Sequence, residues 1–544
     1  MTDEDGRVTR RHAIGAGLAG AGLAMAGRAL AAPPMFPIVE TAQGKVRGLL
    51  SGGVAVFKGI RYAASTAGAN RFMPPAPPPR WSGVQDALAY GEVCPQLPAD
   101  RRHDYADLIS MDLQPSGPGE DCLRVNVWTP TVDPQGRKPV IVVLHGGGFY
   151  AGSGNSTGMD GEMMARFADT VVVSVTHRLG AFGYLHLSGA AGGGDDFAES
   201  GAVGMLDIVA ALRWVQDNIA QFGGDPGRVL LFGQSGGGAK TSMALGMPSA
   251  KGLFHRAGVM SGSLLRAMER EAADRAAMRV LQALDIAPGD LRGLQQLPYT
   301  QILQAQALVE ADDRAKGLPP MALAPVVGGS AIPAHPFDPG APAVSHDVPM
   351  IVSTVLDEWT FRMVDFDVSQ ADVRAYARQR VGAKADALLD YYAQETPGIS
   401  PFIQKARIDT DLGFRRGAFA QAERKAAAGG APVWTYLWTW PSPATNGRYG
   451  AVHGVDVAPS LHNVRGALTG TDAGSRRMAD RMASVWASFA ATGDPNNDRL
   501  PRWDPYDSQR RLTLVLDDET RVEADPRAQV RAWLKDVPAT GVFG

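Results

Sequence analysis

Ser235 stands in Gly233-Gln234-Ser235-Gly236-Gly237, just after an apolar run over residues 229–232 and just before Lys240, Thr241 and Ser242. Two chemistries begin this way. A phosphate-cradling loop needs G-x-x-x-x-G-K-[ST] after a strand. Here Ala239 separates Gly238 from Lys240, so the lysine comes one position late. In a loop whose amides and lysine must converge on one phosphate, that slip argues against the reading. A nucleophile elbow needs G-x-S-x-G between a strand and a helix, and this stretch fits every position.

A serine hydroxyl attacks poorly without a general base, and the base needs an orienting acid. In elbows of this kind the chain order is serine, acid, histidine. The histidines after Ser235 are His255, His335, His346, His453 and His462. His255 lies too near Ser235 to leave room for an acid-bearing strand, and His335 and His346 precede the best acid candidates. His453 and His462 remain, with the glycine-flanked loop Tyr449-Gly450-Ala451-Val452-His453-Gly454 favouring His453. The acid belongs just past the end of a strand, and the run 350–356 ends in Asp357-Glu358, either of which can serve. A developing oxyanion needs backbone N–H donors. The run 140–144 ends in His145-Gly146-Gly147-Gly148-Phe149, the HGGG element expected upstream of such an elbow, and the N–H of Gly236 supplies a further donor.

These residues need a scaffold. The runs 140–144, 171–175, 229–232 and 350–356 are short, aliphatic and not alternating, as for strands of a parallel sheet covered on both faces. Residues 202–222 carry apolar positions at helical spacing, and Gly223, Gly224 and Pro226 end the pattern. Strand, helix, strand, glycine turn and helix make an α/β pattern. The stretches 269–318 and 368–393 read as helices, predicted to form a cap or insertion after the nucleophile. Length alone suggests three or four domains. The absence of repeats and long linkers favours one large domain over 32–544 instead.

The 544 residues are 45% hydrophobic and 20% charged, with a formal net charge of −3 and no long run of one sign, which argues against nucleic-acid or membrane-surface partners. No histidine pair has metal-ligand spacing, so no metal or cofactor is expected. Arg10-Arg11 precedes an uncharged, small and apolar stretch at 13–27, and Ala29-Leu30-Ala31 follows as a cleavage pattern. Residues 1–31 are therefore expected to be an export signal of the twin-arginine kind, leading to a periplasmic or secreted protein. No cysteine follows the cleavage site to carry a lipid anchor. Cys94 and Cys122 are the two cysteines, and in an exported chain an even pair reads as a disulfide. Asn155-Ser156-Thr157 matches a glycosylation sequon, expected to stay unmodified in a bacterial protein.

The chain resembles the type-B carboxylesterases, the family of carboxylesterases, cholinesterases and bile-salt lipases. The likeness runs over roughly 37–535. It is carried by Phe57-Lys58-Gly59-Ile60-Arg61-Tyr62-Ala63, Glu120-Asp121-Cys122-Leu123-Arg124-Val125-Asn126-Val127-Trp128, Arg178-Leu179-Gly180 and Thr492-Gly493-Asp494-Pro495-Asn496, beside the elbow itself. The resemblance implies an α/β-hydrolase fold with a large, mostly parallel sheet, helical cap insertions and no cofactor. It implies Ser235 as nucleophile, His453 as base, Glu358 as acid and Gly147, Gly148 and Gly236 as the oxyanion hole. It also places Cys94 and Cys122 where the family has its first disulfide. The implied activity is hydrolysis of small carboxylic esters through an acyl-enzyme, with amides, carbamates or lactones as alternative substrates and a non-catalytic binding protein as the alternative role. Three positions depart from the family's pattern: Gln234 replaces the usual Glu, Gly236 the usual Ala, and Trp359 the glycine after the acid. The carboxylate missing at Gln234 is one that helps cholinesterases hold a cationic substrate, which argues against choline esters. Phe149, Tyr150 and Trp359 are candidate pocket walls.

Overall fold

The structure is a computed structural model that describes residues 34–98, 105–109, 117–317, 321 and 323–542. The expected export signal at 1–31 lies outside them. An 11-stranded sheet organises the chain. Its strands, in chain order, are β1 (Leu49–Ser51), β2 (Val54–Arg61), β3 (Arg124–Thr129), β4 (Lys138–Leu144), β5 (Val171–Thr176), β6 (Gly224–Gln234), β7 (Arg256–Met260), β8 (Met350–Val355), β9 (Val433–Trp438), β10 (Leu512–Leu516) and β11 (Arg521–Ala524). Across the sheet the order is β1-β2-β3-β5-β4-β6-β7-β8-β9-β10-β11. The strands from β5 to β10 run parallel, and the outer strands at both edges pair antiparallel. This is the architecture expected from the sequence.

The apolar runs form strands because both faces are covered. Every residue of β5, β8 and β9 is buried. On one face lies α1 (Val203–Asn218), whose Met205, Ile208, Leu212 and Val215 share a cluster with Val142 and Leu231 of the sheet. On the other, Met482, Trp486 and Phe489 pack with Ile141, Leu230 and Ile351. The predicted single helix over 202–222 is three pieces: α1 is preceded by a 3₁₀ turn at Ser200–Ala202 and followed by another at Ile219–Phe222, closed by Gly223 at φ 85°. Tighter 3₁₀ turns are common at helix ends, and the sequence period does not betray them.

Between β5 and β6 the chain crosses to the far side of β4, so the strand order switches there. In open α/β sheets ligands bind outside the carboxyl ends of strands at such a switch point. Leu144 pairs with Gly233, so β4 and β6 end side by side and deliver the glycine loop and the serine to one place.

Candidate active site

Ser235 begins the turn from β6 into α2 (Gly236–Gly246) at φ 59° and ψ −123°. Few non-glycine residues hold such a conformation, and surrounding structure must enforce it. The Ser235 N–H donates to the Met260 carbonyl at 2.8 Å, and its carbonyl accepts from Ala239 N at 2.9 Å. Glycine is required beside it for close approach. A Cβ on Gly237 would sit 2.1 Å from the Leu144 oxygen, and one on Gly236 would sit 2.3 Å from the Gly148 oxygen. Gly147 and Gly148 have φ of 83° and 62°. Neither spends its N–H on a hydrogen bond among the described residues. Gly236 is the first residue of α2, so its N–H has no intrahelical acceptor. Unspent donors therefore gather beside Ser235, at the positive end of a helix dipole.

His453 and Glu358, 95 residues apart, meet through Nδ1 and Oε2 at 2.5 Å, both fully or almost fully buried. Glu358 Oε1 accepts from Val355 N at 2.9 Å, which fixes the carboxylate at the end of β8. Asp357, the other acid candidate, is a structural tie. Its N–H donates to the Ala451 carbonyl at 3.0 Å and its Oδ2 accepts from Ala451 N at 2.9 Å, lacing the histidine loop to the end of β8. Its Oδ1 accepts from Arg407 Nε at 2.8 Å. His462, the other base candidate, lies elsewhere, bound to Asp480 at 2.8 Å and stacked on Phe167. Tyr105 donates to the His453 carbonyl at 2.8 Å. Burial, with the Glu358 charge adding to it, pushes the Asp456 carboxyl up to about 7.

The ring of His453 lies between two aromatic residues. Phe361 stacks on it at 4.5 Å and 19°, and Phe414 packs at 4.9 Å. Phe414 belongs to a π-helical turn, Asp411–Arg415, which joins α3 (Pro401–Thr410) to α4 (Arg416–Ala427). From the same turn Arg415 reaches Thr354 Oγ1 at 3.0 Å and the Leu356 carbonyl at 3.0 Å. Sequence reading found neither phenylalanine, because an aromatic beside an active loop looks like any core aromatic.

The side-chain amide nitrogen of Gln234, nearly buried, lies 3.1 Å from His453 Nε2. Gln234 and Gly146 also border a small void of about 10 Å³ between the sheet and the neighbouring loops, beside the core residues Val143, Met159, Phe232, Met260 and Leu461. Phe149 is core, edge-on to Tyr184 at 5.3 Å, while Tyr150 is exposed and Trp359 packs against Phe414. Lys240 is fully buried, and its amine donates to the His145 carbonyl at 3.1 Å, bracing the first residue of the glycine loop. Burial lowers it to about 7. Burial, then the Lys240 charge, also holds the His145 imidazole well below its usual range, and His145 stacks on His177 at 4.7 Å.

The disulfide expectation is corrected. Cys94 and Cys122 are both buried thiols. The sulfur of Cys94 is engaged by the backbone, accepting from Leu179 N at 3.2 Å. The hydrogen bond to Cys94, then burial, raises the Cys122 thiol well above its usual range. Asn155 of the sequon is fully buried and donates to the Gly91 carbonyl at 2.8 Å. Among the described residues no cluster of three or more His, Cys, Asp or Glu could hold a metal, and no helix is long and apolar enough to cross a membrane.

A serine elbow at the switch point of a mostly parallel sheet, with a histidine–carboxylate pair beside it, defines an α/β-hydrolase of the esterase class. Residues 36–533 match the carboxylesterase family, and the chain belongs to it. It is a carboxylic-ester hydrolase of the serine-hydrolase type. Among curated relatives, the para-nitrobenzyl esterase of Bacillus subtilis (strain 168) is 34% identical over 91% of this chain and 98% of its own length. The phenmedipham hydrolase of Pseudarthrobacter oxydans is 33% identical over 89% of this chain and 95% of its own. Among solved structures, an esterase from Clostridium hathewayi that hydrolyses aliphatic aromatic polyesters superposes with a TM-score of 0.77 at 32% identity, covering 92% of this chain and 98% of that one. A carboxylesterase of Geobacillus stearothermophilus gives 0.75 at 33% identity, covering 91% and 99%.

Proposed function

We propose that the ester is cleaved by Ser235, His453 and Glu358 acting as a triad through an acyl-enzyme. Glu358 accepts a hydrogen bond from the Nδ1–H of His453, so Nε2 carries the lone pair that takes the proton of Ser235 as its oxygen attacks the carbonyl carbon. The N–H groups of Gly147, Gly148 and Gly236 hold the developing oxyanion. The imidazolium then protonates the leaving alcohol, and water repeats the sequence on the acyl-enzyme. The observation that carries this reading is the 2.5 Å His453–Glu358 pair set against Gln234, the residue before the serine.

The neutral Gln234 beside the base gives a cationic substrate no carboxylate to pair with, which favours uncharged esters over cationic ones. The export reading of 1–31 stands with this proposal, and the mature chain then begins near residue 32. A fluorophosphonate probe should label the protein, and Ser235→Ala should abolish both labelling and hydrolysis of a short-chain aryl ester. His453→Ala should lose activity, while His462→Ala should stay within about twofold of the parent, being a partly exposed pair with Asp480. Full hydrolysis by Ser235→Ala would sink the mechanism.

A further inference from the structure

The hydrogen-bond roles at His453 are fixed by chemistry. Glu358 is acceptor-only when ionised, so the proton between it and His453 sits on Nδ1. Nε2 is then an acceptor, and the group within reach of it is the Gln234 amide nitrogen at 3.1 Å, which donates. The hydroxyl of Ser235 makes no hydrogen bond among the described residues. The lone pair that must receive the serine proton is therefore already occupied by the neighbouring side chain.

Building on the triad reading, we propose that Gln234 is a positioning residue that caps the base. In the resting enzyme its amide occupies His453 Nε2, and an ester bound at Ser235 displaces the amide and frees Nε2 for the serine proton. Gln234 is 5% exposed at the end of β6, so the cap is held by the sheet rather than by a mobile loop. A carboxylate at this position could not cap the neutral imidazole, because it has no N–H to give.

The test uses Gln234→Met, which keeps the length and removes the donor, and Gln234→Glu, which replaces the donor by an acceptor for the imidazolium. The titratable groups around the pair are Glu358 at Nδ1, Tyr105 on the His453 carbonyl, and Asp456 with its partner Tyr436, while Lys240, His145 and His177 surround the glycine loop. Both substitutions leave them in place. Losing one hydrogen bond to the neutral base should raise the fluorophosphonate labelling rate of substrate-free Gln234→Met by about 2- to 10-fold at neutral pH. The acid limb of its kcat/KM profile should move to higher pH, and that of Gln234→Glu should move further in the same direction, since the carboxylate favours the charged imidazole. Labelling within twofold of the parent with an unmoved acid limb in both variants overturns the cap, and so does slower labelling with an unmoved limb. His453→Ala separates the layers. If it labels like the parent, the triad reading fails; if it is silent while the Gln234 variants match the parent, only the cap fails.

Discussion

Lys240 offers the sharpest test of the physics of this site. Its amine is fully buried, donates to the His145 carbonyl, and is lowered from 10.5 to about 7 by burial alone. In the unfolded chain it titrates at its ordinary value. Between pH 7 and 10.5 the unfolded chain therefore binds a proton that the native one does not, so this group makes stability rise with pH across that window. Below it the penalty is complete, at about 5 kcal/mol. Lys240→Met keeps a linear side chain of similar volume and removes the buried charge. It also removes a hydrogen bond worth about 1 kcal/mol. Near neutral pH the variant should be more stable than the parent by roughly 3–4 kcal/mol. The gain should shrink as pH approaches 10.5, and there the lost hydrogen bond should leave the variant slightly weaker. Urea unfolding of both proteins, followed by tryptophan fluorescence over that pH range, reads the difference directly. A stability difference that does not change with pH, or a variant less stable near neutrality, would show that Lys240 carries no buried-charge penalty.

The paired carboxylates should separate chemistry from stability. Glu358→Gln keeps the shape but cannot balance the imidazolium, so kcat should fall by about 10³- to 10⁴-fold with a near-parental unfolding midpoint. Asp357→Asn removes one of the two carboxylates on the buried Arg407, with Glu395 left to balance it, and should cost about 1–3 kcal/mol of stability, read as a lower urea midpoint. Titration with a thiol reagent, without added reductant, should find both cysteines in the denatured chain and neither in the native one, since both are buried thiols.

How much of this was legible in the sequence follows from where each signal lives. The elbow was legible because G-x-S-x-G is local, and the central strands because burial on both faces leaves unbroken aliphatic runs. The strand β7 was not, because Gly258 interrupts Arg256–Met260; a Cβ there would sit 2.6 Å from the Trp486 ring, so packing demands the residue that hides the strand. Asp357 and Glu358 are chemically alike and adjacent, and only the placement of the loop carrying Ala451 and His453 assigns one to the backbone and the other to the imidazole. Two cysteines announce a pair but not its oxidation state, and here they lie together as buried thiols. The cap on the base was invisible as well, since Gln234 reads as a neutral variant of Glu until its amide is placed at 3.1 Å from His453.

The π-helical turn at Asp411–Arg415 has a consequence for how this chain tolerates changes of length. Such a turn holds one residue more than an even helix would. Deleting one residue there would let α3 and α4 merge into an even helix that keeps the faces of both, because the turn is where one extra residue is absorbed, but the residues of the turn itself would be redrawn. Phe414 would leave the His453 ring and Arg415 would leave the end of β8, although the segment would remain as helical as before. This fully buried turn is thus length-locked. Insertions and deletions in it reach the active centre through Phe414 and Arg415.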